Sequence, residues 1–290
     1  MTDERRLSAR FAVGAVRVAA LSDGAPDRAL GGFFHGIGAD EWTKALGITD
    51  PEQPVPFNFG TFLLRDGQRT VLVDSGWGPA ARDMGFPGGG QLLDRLAELE
   101  VRPEDVDVLV HTHLHPDHCG WNSTGDDGSP SPVFPNATVV LSQKELEYWL
   151  HPALNENERA QVARRAVLPA QTANRIETFE GEHEIAPGIT AVPTPGHTPG
   201  HISLMLASQG EHLLITGDAA HHPTHFEHHD WIPGVDVDPA ESTRSRRKLS
   251  ELAVERDALV TSGHFPILTL GRIRRVDTGY RWEPASPPGE

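Results

Sequence analysis

Apolar residues recur at every second position, or run unbroken between Gly, Pro and Asp, over residues 11–21, 60–65, 70–74, 106–111 and 138–141. Each run predicts a strand. A second set follows at residues 176–179, 189–193, 202–207, 212–216 and 258–262, with a last ribbon around 271–282. Between them the spacing becomes helical. Residues 91–100 place Leu92, Leu93, Leu96 and Leu99 on one face, and residues 143–150 follow Ser142 and Glu145 in a capping-box pattern. A longer helix is predicted from Asp238 as N-cap, with Pro239 in its first turn, to about Arg256. Its basic stretch, residues 244–248, reads as a solvated face. Strands interleaved with helices in two similar halves give an α/β class, and periodicity alone goes no further. The pattern suggests one domain over residues 11–290 behind a flexible leader, residues 1–10.

Two Gly- and Pro-rich segments, residues 23–59 and 84–90, have little periodicity, and loops of that length in a compact domain are usually functional or disordered. They are read as walls of a substrate pocket, because Phe33, Phe34, Trp42, Phe57 and Phe86 lie in them and Trp77 close by.

Composition narrows the picture. A chain of 290 residues, 38% hydrophobic, is ample for a core without staples, and the single cysteine, Cys119, excludes an intrachain disulfide. Gly14 and Arg17 interrupt the first apolar run, so neither a signal peptide nor a membrane span is expected there. A cytoplasmic setting follows as the expectation, with a homodimer left open. The net charge of −16 disfavours a phosphate backbone as partner, and anionic small molecules more weakly, since local charge can override the total. Sixteen histidines gathered in three short stretches need a chemical reason.

The segment VLVHTHLHPDHCGWN supplies one. An apolar strand runs into His113, His115, Asp117 and His118. Residues two apart on an extended chain project to one side, so His113 and His115 can reach one ion. Pro116 turns the chain, after which Asp117 and His118 can face a second position. Further donors are then needed, and they occur after later strands: His197 in TPGHTPGH, Asp218 in ITGDAAH and His264 in TSGHF. Glycine precedes each of the three and lets the backbone turn close to an ion.

With HxHxDH, a later GH, an Asp after a strand and a final GH in that order, the chain resembles the metallo-β-lactamase superfamily over roughly residues 11–282. The resemblance implies a four-layer αββα sandwich, with Asp74 of VDSGWG as a structural aspartate beneath the site. It implies one site of His113, His115 and His197, another of Asp117, His118 and His264, and Asp218 bridging. An all-N/O set suits two divalent ions, zinc by default, with manganese, iron or cobalt also accepted. Two such ions generate a bridging hydroxide and polarise a carbonyl, and by similarity Asp117 would also shuttle a proton to the leaving oxygen.

Other histidines are read as bystanders. His111 lies one pleat too deep, His201 is read as structural, and the tract holding His222, His225, His228 and His229 as a solvated loop. His221 is the exception, because related quorum-quenching lactonases often carry a catalytic tyrosine at that place, and it is taken as catalytic. Trp121, Phe226, Trp231 and Phe265 lie beside the presumed ligand loops and join Phe33, Phe34, Trp42 and Trp77 as expected pocket lining. The resemblance is greatest to N-acyl homoserine lactonases and methyl parathion hydrolase-like enzymes. It implies hydrolysis of a small lactone or ester with an apolar portion, without nucleic acid or membrane as partner. The alternatives are a phosphotriester or aryl ester hydrolase, a glyoxalase-like thioesterase, and a sulfur dioxygenase with one iron.

Overall fold

The computed structural model describes residues 8–29, 33–83, 89–125, 129–266 and 269–289. One seven-stranded sheet runs β1 (Ser8–Val13), β2 (Val16–Ser22), β3 (Gly60–Arg65), β4 (Thr70–Val73), β5 (Val108–Val110), β6 (Thr138–Ser142) and β7 (Ile176–Phe179), in spatial as in chain order. Its first four strands are antiparallel, and β4 to β7 are parallel. The second seven-stranded sheet runs β8 (His183–Ala186), β9 (Ile189–Pro193), β10 (Ile202–Ser208), β11 (Glu211–Ile215), β12 (Leu259–Thr261), β13 (Leu270–Val276) and β14 (Gly279–Ala285). Its strands are antiparallel except the pair β11 and β12.

Strand periodicity sorts the apolar side chains into layers. Phe62 and Leu64 of β3, with Val71 and Val73 of β4, face Ala191, Leu204, Leu206, Leu213 and Ile215 of the second sheet. Their neighbours Leu63, Leu72, Leu109 and Leu141 point the other way. There they meet Leu92 and Leu96 of α2 (Leu92–Glu98), Trp149 of α4 (Gln143–Leu150) and an alanine-rich face of α5 (Glu158–Thr172). The outer face of the second sheet, with Val192, Met205, Leu214 and Val260, is covered by Leu249 and Ala253 of α6 (Pro239–Glu255). Helices, sheet, sheet and helix are the four layers expected, because each sheet has two apolar faces to bury. Further helices, among them α1 (Ala39–Leu46) and α3 (Pro116–Cys119), lie in the connections.

Several expectations need correction. Residues 8–10, placed in the leader, begin β1. The single strand over 11–21 is a hairpin turned at Gly14, where φ is 55° and a Cβ would lie 2.3 Å from the Ser208 carbonyl oxygen. The segment 23–59 is not a structureless loop: it holds α1 and the paired strands Asp27–Ala29 and Pro54–Pro56. Helix α5 was not foreseen, since its buried face is mostly alanine, Ala160, Ala163, Ala166 and Ala170 beside Val167, and the helix runs on through Pro169, a residue that reads as a breaker. Asn157 caps it, accepting from the Ala160 amide at 3.0 Å. Among the described residues no helix is long and apolar enough to cross a membrane.

Leu72 is 0% exposed in the middle of the first sheet. Truncation to alanine removes its contacts with the helical layer and is expected to cost about 2–5 kcal/mol. The check is a urea titration, in which the midpoint should fall with an unchanged slope.

Candidate metal centre

All seven expected donors lie on connections at one end of the two sheets. β5 ends at Val110, and the chain then runs through residues 111–115 into α3, with Pro116 at its first position. This stretch is held by Asp74, which follows β4 with φ at 59°, a strained value for a residue other than glycine. Thr112 donates to it twice, from the amide to Oδ1 at 2.8 Å and from the hydroxyl to Oδ2 at 2.7 Å. His118 donates from Nδ1 to Oδ2 at 2.9 Å. Two of the three glycines, Gly196 and Gly217, take the positive φ that such a turn needs. Gly196 has φ at 133° and a Cβ there would lie 2.2 Å from the Ser242 amide nitrogen, while one on Gly217 would lie 2.7 Å from His201 Nε2.

The donors form two clusters. His115 Nδ1 lies 3.0 Å from His113 Nε2 and 2.9 Å from His197 Nε2. His264 Nε2 lies 3.4 Å from both His118 Nε2 and Asp117 Oδ2. The Asp218 carboxylate stands between them: Oδ2 is 3.3 Å from His197 Nε2 and 3.2 Å from His264 Nε2, and Oδ1 is 3.2 Å from His118 Nε2. Donors at 2.0–2.1 Å around one tetrahedral ion sit about 3.3 Å apart, so the spacing fits a cation in each cluster.

The opposite ring nitrogens fix which atom faces inward. His197 Nδ1 donates to Asp236 Oδ1 at 3.0 Å, His264 Nδ1 to the Asn58 carbonyl at 2.8 Å, and His113 Nδ1 faces Thr112 Oγ1 at 3.1 Å. With those protons committed, the remaining lone pairs converge on one another, which is favourable only around positive charge. Electrostatics agree. Burial opposes charge on His264, yet Asp218 and Asp117 raise its imidazole to about 10, and Asp218, Asp117 and Asp74 likewise hold His118 well above the ordinary value. Burial and the neighbouring imidazoles hold His113 and His115 well below it. Burial would raise Asp117 and Asp218, but His118 and His264 keep both carboxyls low. The residues present therefore fit two divalent cations.

The donors floor a cavity of about 1040 Å³. Phe33 and Trp77 line it as expected, and His221, Asp117, His115, His197, Asp218 and His264 open into it. Six of the aromatics placed there from sequence do not line it. Phe34, Trp42 and Trp231 pack together behind the wall. Trp121 lies in the helical layer and donates from Nε1 to Asp23 at 2.9 Å. Phe226 and Phe265 are buried under the second sheet with α6. Nearness in sequence to a ligand loop does not set the side on which a ring emerges. Phe57 and Phe59 complete the wall, Phe57 stacking on His264 with centroids 4.6 Å apart. Phe86 lies outside the described residues.

Other residues acquire roles. His111 donates to neither cluster; it lies 3.5 Å from Asp74 and 2.8 Å from Asn122 Nδ2. His201 accepts from the Asp218 amide at 2.9 Å and so sets the bridging carboxylate. The His-rich tract is solvated only in part: His225 is buried and accepts from the His221 amide at 3.0 Å, while His228 is exposed. Nor is the basic stretch of α6 wholly solvated. Arg246 is 0% exposed and pairs with Asp236 at 3.7 Å behind His197. Ser142 makes no side-chain cap. Glu145 is buried instead, accepting from the Leu114 amide and Trp149 Nε1 on one oxygen and from Thr198 and the Gly200 amide on the other. It ties the loops carrying His115 and His197 together.

The sequence profile described as "Metallo-beta-lactamase superfamily" matches residues 61–264. The N-acyl homoserine lactonase AttM of Rhizobium radiobacter is 30% identical over 237 residues, 75% of this chain and 84% of the relative. Among solved structures, the hydrolase AbOPH of the beta lactamase superfamily superposes with a TM-score of 0.83 at 28% identity, covering 96% of this chain and 97% of that one. AidC, a dizinc quorum-quenching lactonase solved with the product N-hexanoyl-L-homoserine, superposes with a TM-score of 0.82 at 22% identity, covering 97% and 98%.

The Asp236 carboxylate orients His197 and balances Arg246. Its replacement in Asp236→Asn is expected to weaken retention of one of two metal equivalents by about tenfold or more. Competition with a chromophoric chelator would show it, and unchanged affinity for both equivalents would remove Asp236 from the site.

Proposed function

The chain belongs to the metallo-β-lactamase superfamily, and on that premise we propose that it is a dinuclear metal-dependent hydrolase that opens a lactone or carboxylic ester. One observation carries the reading: seven His and Asp side chains, brought from strand ends across both sheets, converge in two adjoining clusters with Asp218 between them at the floor of a partly aromatic cavity. Divalent cations there, zinc in the first instance, would supply an acidified water and polarise a carbonyl at neutral pH.

The chain's own groups do the rest. Asp218, braced by His201, holds the two clusters in register. Asp117 keeps 18% of its side chain exposed to the cavity, so one carboxylate oxygen can take a proton from water and pass it to the leaving oxygen. His221 lines the cavity with Nε2 3.3 Å from Asp218 Oδ2, and its burial lowers the imidazole pKa so that it stays neutral. A neutral ring there can hydrogen-bond the substrate or the departing alkoxide without repelling cations. Phe33, Phe57, Phe59 and Trp77 exclude water and seat an apolar acyl group, the portion shared by the lactonase relatives' substrates. That wall suits an aryl ester as well, which is the second reading.

The test is acid release by metal-loaded protein on acyl homoserine lactones, aryl esters, a phosphotriester, a chromogenic cephalosporin and a glutathione thioester, with chelator controls. Lactone or ester turnover that chelation abolishes is expected; activity on the thioester alone, or oxygen consumption with one iron per chain, would replace the reading. Asp117→Ala and His118→Ala should each lose at least about 100-fold in kcat/KM. His221→Phe should lose about 100-fold in kcat while metal content, read by mass spectrometry of the bound ions, stays at two. Undiminished turnover in His221→Phe would make that histidine a packing residue.

A further inference from the structure

Behind the aromatic wall lies a carboxylate that the metal centre does not use. Asp23 follows β2, is 1% exposed and does not itself line the cavity. Its Oδ2 accepts from the amides of Trp77 at 2.8 Å and Gly78 at 3.1 Å, and its Oδ1 from the Leu92 amide at 2.7 Å and Trp121 Nε1 at 2.9 Å. Its backbone adds two bonds, the amide donating to the Phe59 carbonyl at 2.8 Å and the carbonyl accepting from the Gln91 amide at 3.1 Å. One residue thus holds the main chain of both Phe59 and Trp77, which line the cavity and meet edge to face with centroids 5.8 Å apart. The Phe59 ring in turn stands 5.7 Å from that of His264. On its other side the turn carrying Trp77 is fastened to the exit of α3, where the Gly120 amide donates to the Gly76 carbonyl at 2.8 Å. Gly76 fits only because it lacks a side chain, since a Cβ there would lie 2.5 Å from that of Asp23.

We infer that Asp23 is a positioning residue for the apolar part of the substrate: it holds Phe59 and Trp77 in the arrangement that receives an alkyl chain, and so sets how strongly chain length is felt. This rests on the hydrolase reading for the use the wall is put to, but not for the binding. A carboxylate suits the task because four N–H groups converge on it and both its oxygens only accept. An asparagine would turn its amide NH2 towards two of those donors and leave them unsatisfied in a dry setting. Charge-assisted bonds to the backbone fix the rings before a ligand arrives, so little ordering has to be supplied on binding.

The probes are butanoate and octanoate, titrated calorimetrically into metal-loaded protein. Both offer one carboxylate to the cations, and only octanoate offers a longer chain to the wall. A buried methylene is worth about fourfold in affinity, so partial cover of the added chain predicts that octanoate binds the wild type at least about tenfold more tightly. In Asp23→Asn that ratio is expected to fall to about threefold or less, with metal content and butanoate binding retained. Trp77→Ala should lower it as far, and the double variant no further, because a displaced ring and an absent one contribute alike. Trp121→Phe, a milder change that removes one donor, should lower it about twofold. Equal binding of the two probes to the wild type, a full ratio in Asp23→Asn, loss of metal together with the ratio, or additive losses in the double variant overturns the inference; should Asp23→Asn not fold, a full ratio in Trp121→Phe does so. Turnover assays separate the two claims. Hydrolysis of lactones or esters with the chain-length preference intact in Asp23→Asn sinks the positioning role alone, whereas a binding preference lost in Asp23→Asn by a protein that hydrolyses nothing sinks the hydrolase reading alone.

Discussion

The constraint that the whole structure answers to is the crowding of like atoms at one point. His115 Nδ1 lies 3.0 Å from His113 Nε2 and 2.9 Å from His197 Nε2, and the Asp218 carboxylate stands close beside them. Left free, such side chains would turn away into water. They stay because most of the rings are held from behind by a group on a different part of the chain: Thr112 for His113, Asp74 for His118, Asp236 for His197 and the Asn58 carbonyl for His264. A ring with one nitrogen pinned in this way has a single tautomer to offer. The convergence of lone pairs is thus a property of the braces as much as of the donors, and the two packed sheets are the rigid frame from which those braces hang.

The loops that carry the donors are secured by buried carboxylates. Asp74 grips Thr112 and His118; Glu145 joins the stretch around Leu114 to Thr198 and Gly200; Asp23 accepts from the amides of Trp77, Gly78 and Leu92 and from Trp121. Each sits at the end of a strand or in a helix beside the donor loops and collects several donors at once. A chain with one cysteine has no covalent way to fix such loops, and charge-assisted hydrogen bonds in a dry setting are the strong alternative. The cost appears as burial: Asp23 is pushed up to about 6 by desolvation even with its four donors, and Glu145 is raised for the same reason. The apolar layers on both faces of each sheet offset that cost.

How much of this is legible in the sequence follows from the range of each interaction. The strands at 60–65, 176–179 and 189–193 were legible because alternation is local, and the donor set because a strand, a glycine and a His or Asp within a few residues imply a chain turning towards an ion. Helix α5 was not, since alanines leave no contrast between its faces. The roles of Glu145 and Arg246 were misread for another reason. The local pattern offered each a plausible surface task, a cap and a solvated charge, while their partners lie far along the chain. Six of the eight pocket aromatics failed likewise: Phe226 and Phe265, for example, flank ligand loops, but the strand and turn geometry sends their rings inward.

Net charge is limited in range in the same way. A total of −16 speaks about the surface, where charges farther apart than about 8–10 Å are screened from one another at ordinary ionic strength. A cleft is governed by the groups that line it, because its walls hold few ions and little mobile water. Within this one, burial and the neighbouring imidazoles hold His113 and His115 well below the ordinary value, and Asp117 and Asp218 are the charges that divalent cations would answer. An acidic protein can therefore hold a chamber whose field its own lining sets, and the acidic exterior does not oppose that arrangement. It leaves the field inside to be set by a handful of residues that no whole-chain sum can single out.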